Sequence, residues 1–203
     1  YWQISNFPED INNWERENFQ RNFILNGLSK ANQDDYIIIS DVDEIPNLED
    51  IDLIVKSKKK YAAFKQKMIY YKLNLLNLTE KEWYGSKMCK LKHLKSPQWL
   101  RNKKVKLYPF YRFDKINWNI VNNGGWHFSN IMTPYDISEK IKSFAHSEFN
   151  TPEFTNIENI KEKIRLKKDL FGRKFELEKI TQEEDLPKYI NENQKKFSEF
   201  LLK

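Results

Sequence analysis

The chain has 203 residues, a net charge of +6, and 39% hydrophobic against 32% charged side chains. That length predicts one domain with a packed core, and a 15% aromatic share excludes a chain without a fold. No apolar run nears the ~20 residues of a membrane helix, no signal-peptide pattern is visible, and a single cysteine, Cys89, excludes an internal disulfide, so a cytoplasmic protein is expected.

Residues 11–30 predict a helix, with Phe19, Phe23, Ile24 and Leu28 spaced near four. Tyr36-Ile37-Ile38-Ile39-Ser40 is a short, continuous, β-branched run. It predicts a strand buried on both faces, as in a parallel α/β sheet. The run stops at Asp41-Val42-Asp43-Glu44, and Pro46 closes the turn. Asn47 is placed to cap a helix reaching Val55. Tyr61 to Tyr71 reads as one strand, with Ala62, Phe64, Met68 and Tyr70 on one side and Lys65 and Lys67 on the other.

Residues 74–123 are aromatic and basic, with a strand-like patch at 105–113. Thr133-Pro134-Tyr135-Asp136 predicts a helix start, continued by Ile137, Ile141 and Phe144. Residues 156–170 predict another helix and 187–202 a last amphipathic one. With no repeat or linker, the order predicts one α/β domain over residues 1–203, with parts 1–73, 74–150 and 151–203, the last made of C-terminal helices.

The positive charge is local. Residues 87–106 hold seven Lys and one Arg with no acid. Such a stretch attracts phosphate as nucleic acid, nucleotide or lipid head group, which extends the expectation to peripheral contact with an anionic membrane surface; a solvated lysine face is the plainer reading.

Asp41-Val42-Asp43-Glu44 is the sharpest motif, because it sits at the carboxyl end of a buried strand, where open α/β sheets bind ligands. Three carboxylates within four residues repel one another unless a cation or hydrogen-bond donors compensate. Hard oxygen ligands suit Mg²⁺ or Mn²⁺, which bind one or two carboxylates together with substrate phosphates. The second motif, Asn122-Asn123-Gly124-Gly125-Trp126-His127-Phe128-Ser129, contains two of the five glycines. Glycine lets backbone approach a ligand closely. Trp126 can stack on a sugar, and His127 can take a metal or a phosphate; a turn followed by a core Trp and a satisfied His explains the same residues. In the third, His146 and Glu148 follow a predicted helix and can face a common site.

These segments together resemble glycosyltransferase family 17, the β-1,4-mannosyl-glycoprotein 4-β-N-acetylglucosaminyltransferase family. The matching pieces run from Trp14-Glu15-Arg16-Glu17 and Gln20-Arg21-Asn22 through Asp35 to Pro46. They continue with Gly125 to Ser129, Lys140, Asp169-Leu170-Phe171-Gly172-Arg173 and Pro187-Lys188-Tyr189. The resemblance implies a GT-A-like, Rossmann-type nucleotide-sugar domain, UDP-N-acetylglucosamine as donor, a glycan as acceptor, and Mn²⁺ or Mg²⁺ as cofactor. It implies Asp41 and Asp43 as metal ligands, with His127 as the further ligand ahead of His146, and Arg21, Gly125, Trp126 and Lys140 as substrate-binding residues. Inverting transfer also needs a carboxylate base; Glu44, Glu139 and Glu148 are the candidates, and spacing does not choose among them. Family members carry further β/α elements before the Trp14 helix, so an N-terminally incomplete domain is expected.

Two rival readings stand beside it. A haloacid-dehalogenase-like phosphatase also places D-x-D after a strand, but here Ile45 occupies the place of its usual Thr and the Gly125 segment has no role. A basic module without catalysis would bind single-stranded nucleic acid through residues 87–106; no nucleic-acid motif supports it, and no nucleic-acid partner is expected.

Overall fold

The computed structural model describes residues 12–202, except 107, 110, 113–114, 144–146 and 182–184. Helix α1 (Asn13–Asn22) starts at a capping box in which Asn12 Oδ1 accepts from Glu15 N at 2.9 Å and Glu15 Oε2 accepts from Asn12 N at 3.0 Å. The predicted helix does not run on to residue 30. It tightens into 3₁₀ turns over Phe23–Leu28, where Asn26-Gly27 gives poor helical support.

The strands form two mixed sheets. The first contains β1 (Tyr36–Ile39), β3 (Tyr61–Phe64), β6 (Lys87–Lys90) and β7 (Trp118–Val121), in the order β1-β6-β3-β7. The second contains β2 (Glu44–Pro46), β4 (Lys67–Tyr70), β5 (Leu75–Asn77), β8 (Gly125–Ser129) and β9 (Leu177–Lys179), in the order β2-β8-β4-β5-β9. Among the described residues only β3/β7 and β4/β8 run parallel. This corrects the parallel-sheet expectation for Tyr36–Ile39: β1 is an edge strand, antiparallel to β6, with Tyr36 exposed and Ile37 and Ile39 buried. The run of isoleucines reports burial, whereas strand direction depends on a partner some fifty residues away.

Three times the chain passes from the first sheet into the second: after β1 through residues 40–43, after β3 through Lys65-Gln66, and after β7 through residues 122–124. The predicted strand 61–71 is therefore two strands, since Lys65-Gln66 stays extended while its partners change. Gly125 closes the third passage at φ +109°, and an added Cβ there would lie 2.1 Å from Ile45 O on paired β2.

Both sheets are covered on both faces. In the first, Leu100 of α3 (Pro97–Asn102) packs with Trp118, Ile37 and Ile39, and Ile54 of α2 (Ile51–Lys56) packs on Ala62 and Phe64. On the second, Ile137 and Ile141 of α4 (Pro134–Ser143) and Ile160 of α6 (Ile157–Arg165) cover Met68, Tyr70 and Leu75. Between those helices lies the short α5 (Pro152–Thr155). The opposite face carries Ile69, Trp126 and Phe128 against Leu186 and Ile190, the latter in α7 (Lys188–Glu192). Each such aliphatic side chain contributes roughly 1.5–3 kcal/mol on burial.

Helix boundaries differ locally from expectation. Asn47 Oδ1 accepts from Glu49 N at 3.1 Å and so caps a turn; α2 starts only at Ile51. Pro134 opens α4 as predicted, and Asn156 caps α6, which ends at Arg165. The last helix is short, because residues 193–202 continue as turns and a 3₁₀ segment at Ser198–Phe200. No strand forms among the described residues of 105–113.

Candidate active site

The Asp41–Glu44 turn lies in the first passage between the sheets. Glu44 N donates to Asp41 O at 3.0 Å, and Asp41 N donates to Glu44 Oε2 at 3.0 Å, so Glu44 bonds its own loop from both ends. The Glu44 side chain is fully buried. Trp83 Nε1 donates to its Oε1 at 2.6 Å, and Arg101 donates to both oxygens at 2.6 and 3.2 Å. Trp83 and Glu44 approach so closely that a Cβ on Gly85 would sit 1.8 Å from Glu44 Oε1. Around them Ser40, Ser86 and Gln66 are hydrogen-bonded together, tying β1 and β6 to the second passage. A buried polar network with its members bonded in this way is rigid.

The two aspartates face different partners. Asp41 accepts from Arg101 Nη2 at 2.7 Å and from Arg21 Nη2 at 3.1 Å. Arg21 is held in turn by Glu17 at 2.9 Å, and the Arg101 guanidinium lies 5.7 Å from the centre of the Trp83 ring. Asp43 turns to the second sheet: its carbonyl accepts from Phe128 N at 2.8 Å, and Oδ2 lies 3.4 Å from His127 Nε2. The His127 ring stacks on Trp83 with centroids 4.9 Å apart and planes 18° apart. Burial alone would push the Asp43 carboxyl up; the hydrogen bond and charge of His127, with the charge of Lys140, outweigh it and leave that carboxyl below its ordinary value.

Among the described residues no group of three His, Cys, Asp or Glu side chains converges on one point. A divalent cation would find two donors at this place, Asp43 Oδ2 and His127 Nε2. The 3.4 Å between Asp43 Oδ2 and His127 Nε2 is close to the roughly 3 Å that separates adjacent ligands bound at ~2.1 Å. The remaining positions suit phosphate and water, as Mg²⁺ and Mn²⁺ prefer. Asp41 is committed to two guanidinium groups and is not placed to join them. His146 lies outside the described residues.

A cleft of about 820 Å³ opens on the Asp41 side, lined by Trp14, Arg21, Lys87, Arg101, Lys103 and Lys104 among others. Its deepest cation is Lys87, whose Nζ donates to Arg101 O at 2.5 Å and Lys103 O at 2.7 Å. Burial, with the charge of Arg101, pushes the Lys87 amine down to about 8.

The other candidates are scattered. Lys140 Nζ donates to Asn130 Oδ1 at 3.2 Å, near enough to Asp43 for its charge to be felt there. Trp126 is on the opposite face of β8 from His127, donating to Asp185 O at 2.7 Å, and Gly125 is occupied by its contact with β2. Glu139 pairs with Lys142 at 2.7 Å on the exposed side of α4. Glu148 occupies the 3₁₀ turn Ser147–Phe149. Sequence reasoning missed Trp83, Ser86, Gln66 and Arg101. The one available signal was an arginine among seven lysines, since only guanidinium forks bidentately onto carboxylate.

Residues 3–203 match the model of glycosyltransferase family 17. The chain belongs to glycosyltransferase family 17. No curated protein and no solved structure matches it significantly. Membership makes the protein a transferase with a sugar donor and an acceptor, and its α/β sheets and helices accord with such a domain. Among the described residues no helix is long and apolar enough to cross a membrane.

Proposed function

We propose that this chain moves N-acetylglucosamine from UDP-N-acetylglucosamine to a glycan hydroxyl, with inversion, in a GT-A-like, Rossmann-type domain, and with Mn²⁺ or Mg²⁺ assisting. The observation that carries the reading is the split of the Asp41–Glu44 turn: cations of the large cleft gather on the Asp41 side, and the Asp43–His127 pair stands on the other. That arrangement suits a diphosphate lying along the turn.

In this reading Arg21, Lys87, Arg101 and Lys103 attract the diphosphate. Asp41 holds both guanidinium groups in place, so they need little reorganisation as negative charge grows on the leaving group. Asp43 and His127 would hold the cation, which offsets the same developing charge when bound. The acceptor oxygen forms a bond to the anomeric carbon as the bond from that carbon to phosphate oxygen breaks, and the hydroxyl proton passes to a carboxylate. The candidates are Glu44, Glu139 and Glu148; Glu148, which immediately precedes Phe149 on the wall of a second cavity, is the one this reading takes as base.

Calorimetric titration with UDP and UDP-N-acetylglucosamine, with and without Mn²⁺, tests the donor. Binding of UDP that strengthens with Mn²⁺ and weakens in Asp43→Asn is the expected result; equal heats in all conditions would overturn the donor and metal assignments. For the base, Glu148→Gln lowers kcat by about 10²-fold or more with the donor KM little changed. An unchanged kcat would remove Glu148 from that role.

A further inference from the structure

His127 is the middle member of a row of three side chains. On β8 it stands opposite Glu44 of β2 and opposite Met68 of β4, so all three share one face of the second sheet. Trp83 lies over this row but comes from outside the five strands. Its backbone is clipped to Gln66, in the second passage between the sheets, by two hydrogen bonds. Gln66 N donates to Trp83 O at 2.8 Å, and Trp83 N donates to Gln66 O at 2.9 Å.

The indole is fixed as firmly as its backbone. Nε1 donates to Glu44 Oε1 at 2.6 Å, and that carboxylate is itself buried and held by Arg101. The Arg101 guanidinium lies 5.7 Å from the ring centre. Gly85 leaves the indole its room, since a Cβ there would lie 2.3 Å from Trp83 Nε1. His127 has weaker support of its own. A histidine that binds metal normally donates its other ring N–H to a carboxylate, a carbonyl or water, which fixes the plane of the ring. Here Nδ1 meets Met68 Sδ at 2.9 Å, and a thioether is a weak acceptor. The firmer constraint on the imidazole is the Trp83 ring, stacked at 4.9 Å with planes 18° apart. In that plane Nε2 comes within 3.4 Å of Asp43 Oδ2.

We infer that Trp83 is a positioning residue of this site: its indole, anchored on Glu44, holds the His127 imidazole so that Nε2 stays turned to Asp43 when a divalent cation is taken up. An indole nitrogen is a donor only, so Trp83 supplies no ligand and acts through His127. The inference rests on the reading of Asp43 and His127 as the donors to that cation. It also gives the buried Glu44 an effect at the site, because the carboxylate fixes the indole and the indole fixes the imidazole.

The test is a double-mutant cycle read by Mn²⁺ affinity, measured from the EPR signal of free Mn²⁺. No nucleotide is added, because Trp83 also lines the large cleft. The unaltered chain is compared with Trp83→Leu, His127→Gln and the double variant, and urea unfolding establishes that each is folded. Trp83→Phe, which keeps a ring to stack but loses the donor to Glu44, accompanies them. Affinity is expected to fall about tenfold or more in each single variant, with Trp83→Phe between Trp83→Leu and the unaltered chain. The double variant should bind no more weakly than His127→Gln alone, since Trp83 acts through the residue already removed. In the metal-free chain the His127 ring protons should move downfield in Trp83→Leu as they leave the face of the indole. Additive losses in the double variant, or full affinity in folded Trp83→Leu, would overturn the inference and leave the Asp43–His127 assignment standing. Should Trp83→Leu not fold, unchanged affinity in Trp83→Phe overturns it in the same way. Equal affinity in His127→Gln and the unaltered chain removes the cation assignment, and the inference falls with it.

Discussion

Arg101 shows how much one side chain can hold. It neutralises Glu44, which is fully buried, shares a nitrogen with Asp41, and lies over Trp83. Removing one partner of a buried pair leaves an uncompensated charge, at about 3–5 kcal/mol. Arg101→Ala is expected to lose that order of stability in urea unfolding. Arg101→Lys should recover little of it, because an ammonium cannot fork onto two carboxylates. Gly85 serves the same contact by omission. A methyl group 1.8 Å from Glu44 Oε1 must displace either that carboxylate or the Trp83 indole. Gly85→Ala should therefore cost about 1–3 kcal/mol and red-shift tryptophan emission as Trp83 gains water; an unchanged spectrum and midpoint would show that the loop yields freely.

Among the elements, β2 is three residues long and is secured by pairing with β8. Gly125 permits that pairing at a φ that side chains rarely adopt. Gly125→Ala is expected to part the two strands and speed amide exchange at Ile45 and Phe128 by tenfold or more, leaving β3/β6 protected; uniform exchange would disprove a local effect. The sequence was readable where information is local. The end of the isoleucine run at Asp41 placed the turn, and Thr133-Pro134 placed α4. It was opaque where partners are distant: nothing near Tyr61–Tyr71 says that the strand leaves one sheet for another at Lys65, and nothing near residue 101 says that an arginine is to meet Asp41 and Glu44. The same limit applies to the site. D-x-D and Gly-Trp-His were visible as words, yet only the fold separates Asp41 from Asp43 by their partners and turns Trp126 away from His127.

For the whole molecule, charge is managed locally more than its sum of +6 suggests. Lys92 and Lys90 pair with Asp34 and pull its carboxyl down to about 2, and Lys65 pairs with Glu82. The exception is Lys87, buried beside Arg101 and brought down to about 8 from an ordinary 10.5. Between those values the unfolded chain holds a proton that the folded chain has released, so stability rises with pH across that window and carries the full burial penalty below it. Lys87→Met should remove that rise, seen as a smaller gain in urea midpoint from pH 7.5 to pH 9 than in the unaltered chain; the span stops there because burial lifts the Cys89 thiol from 9.0 to about 11, which lowers stability at higher pH. Affinity for UDP should move the opposite way in the unaltered chain, falling as pH passes about 8 and the cleft loses a positive charge. A pH-independent affinity would place the phosphates elsewhere.

The three passages between sheets give the Asp41–Asp43 spacing a mechanical meaning. Asp41 is gripped by Arg101 of α3, which is packed on the first sheet, whereas the Asp43 carbonyl is bonded to β8 of the second. Val42, 99% exposed, is the single residue between them. The motif is thus a clasp across a crease, one of three between the two plates. A glycine inserted after Val42 would keep every side chain and every charge of the motif while loosening one of the three ties between the plates.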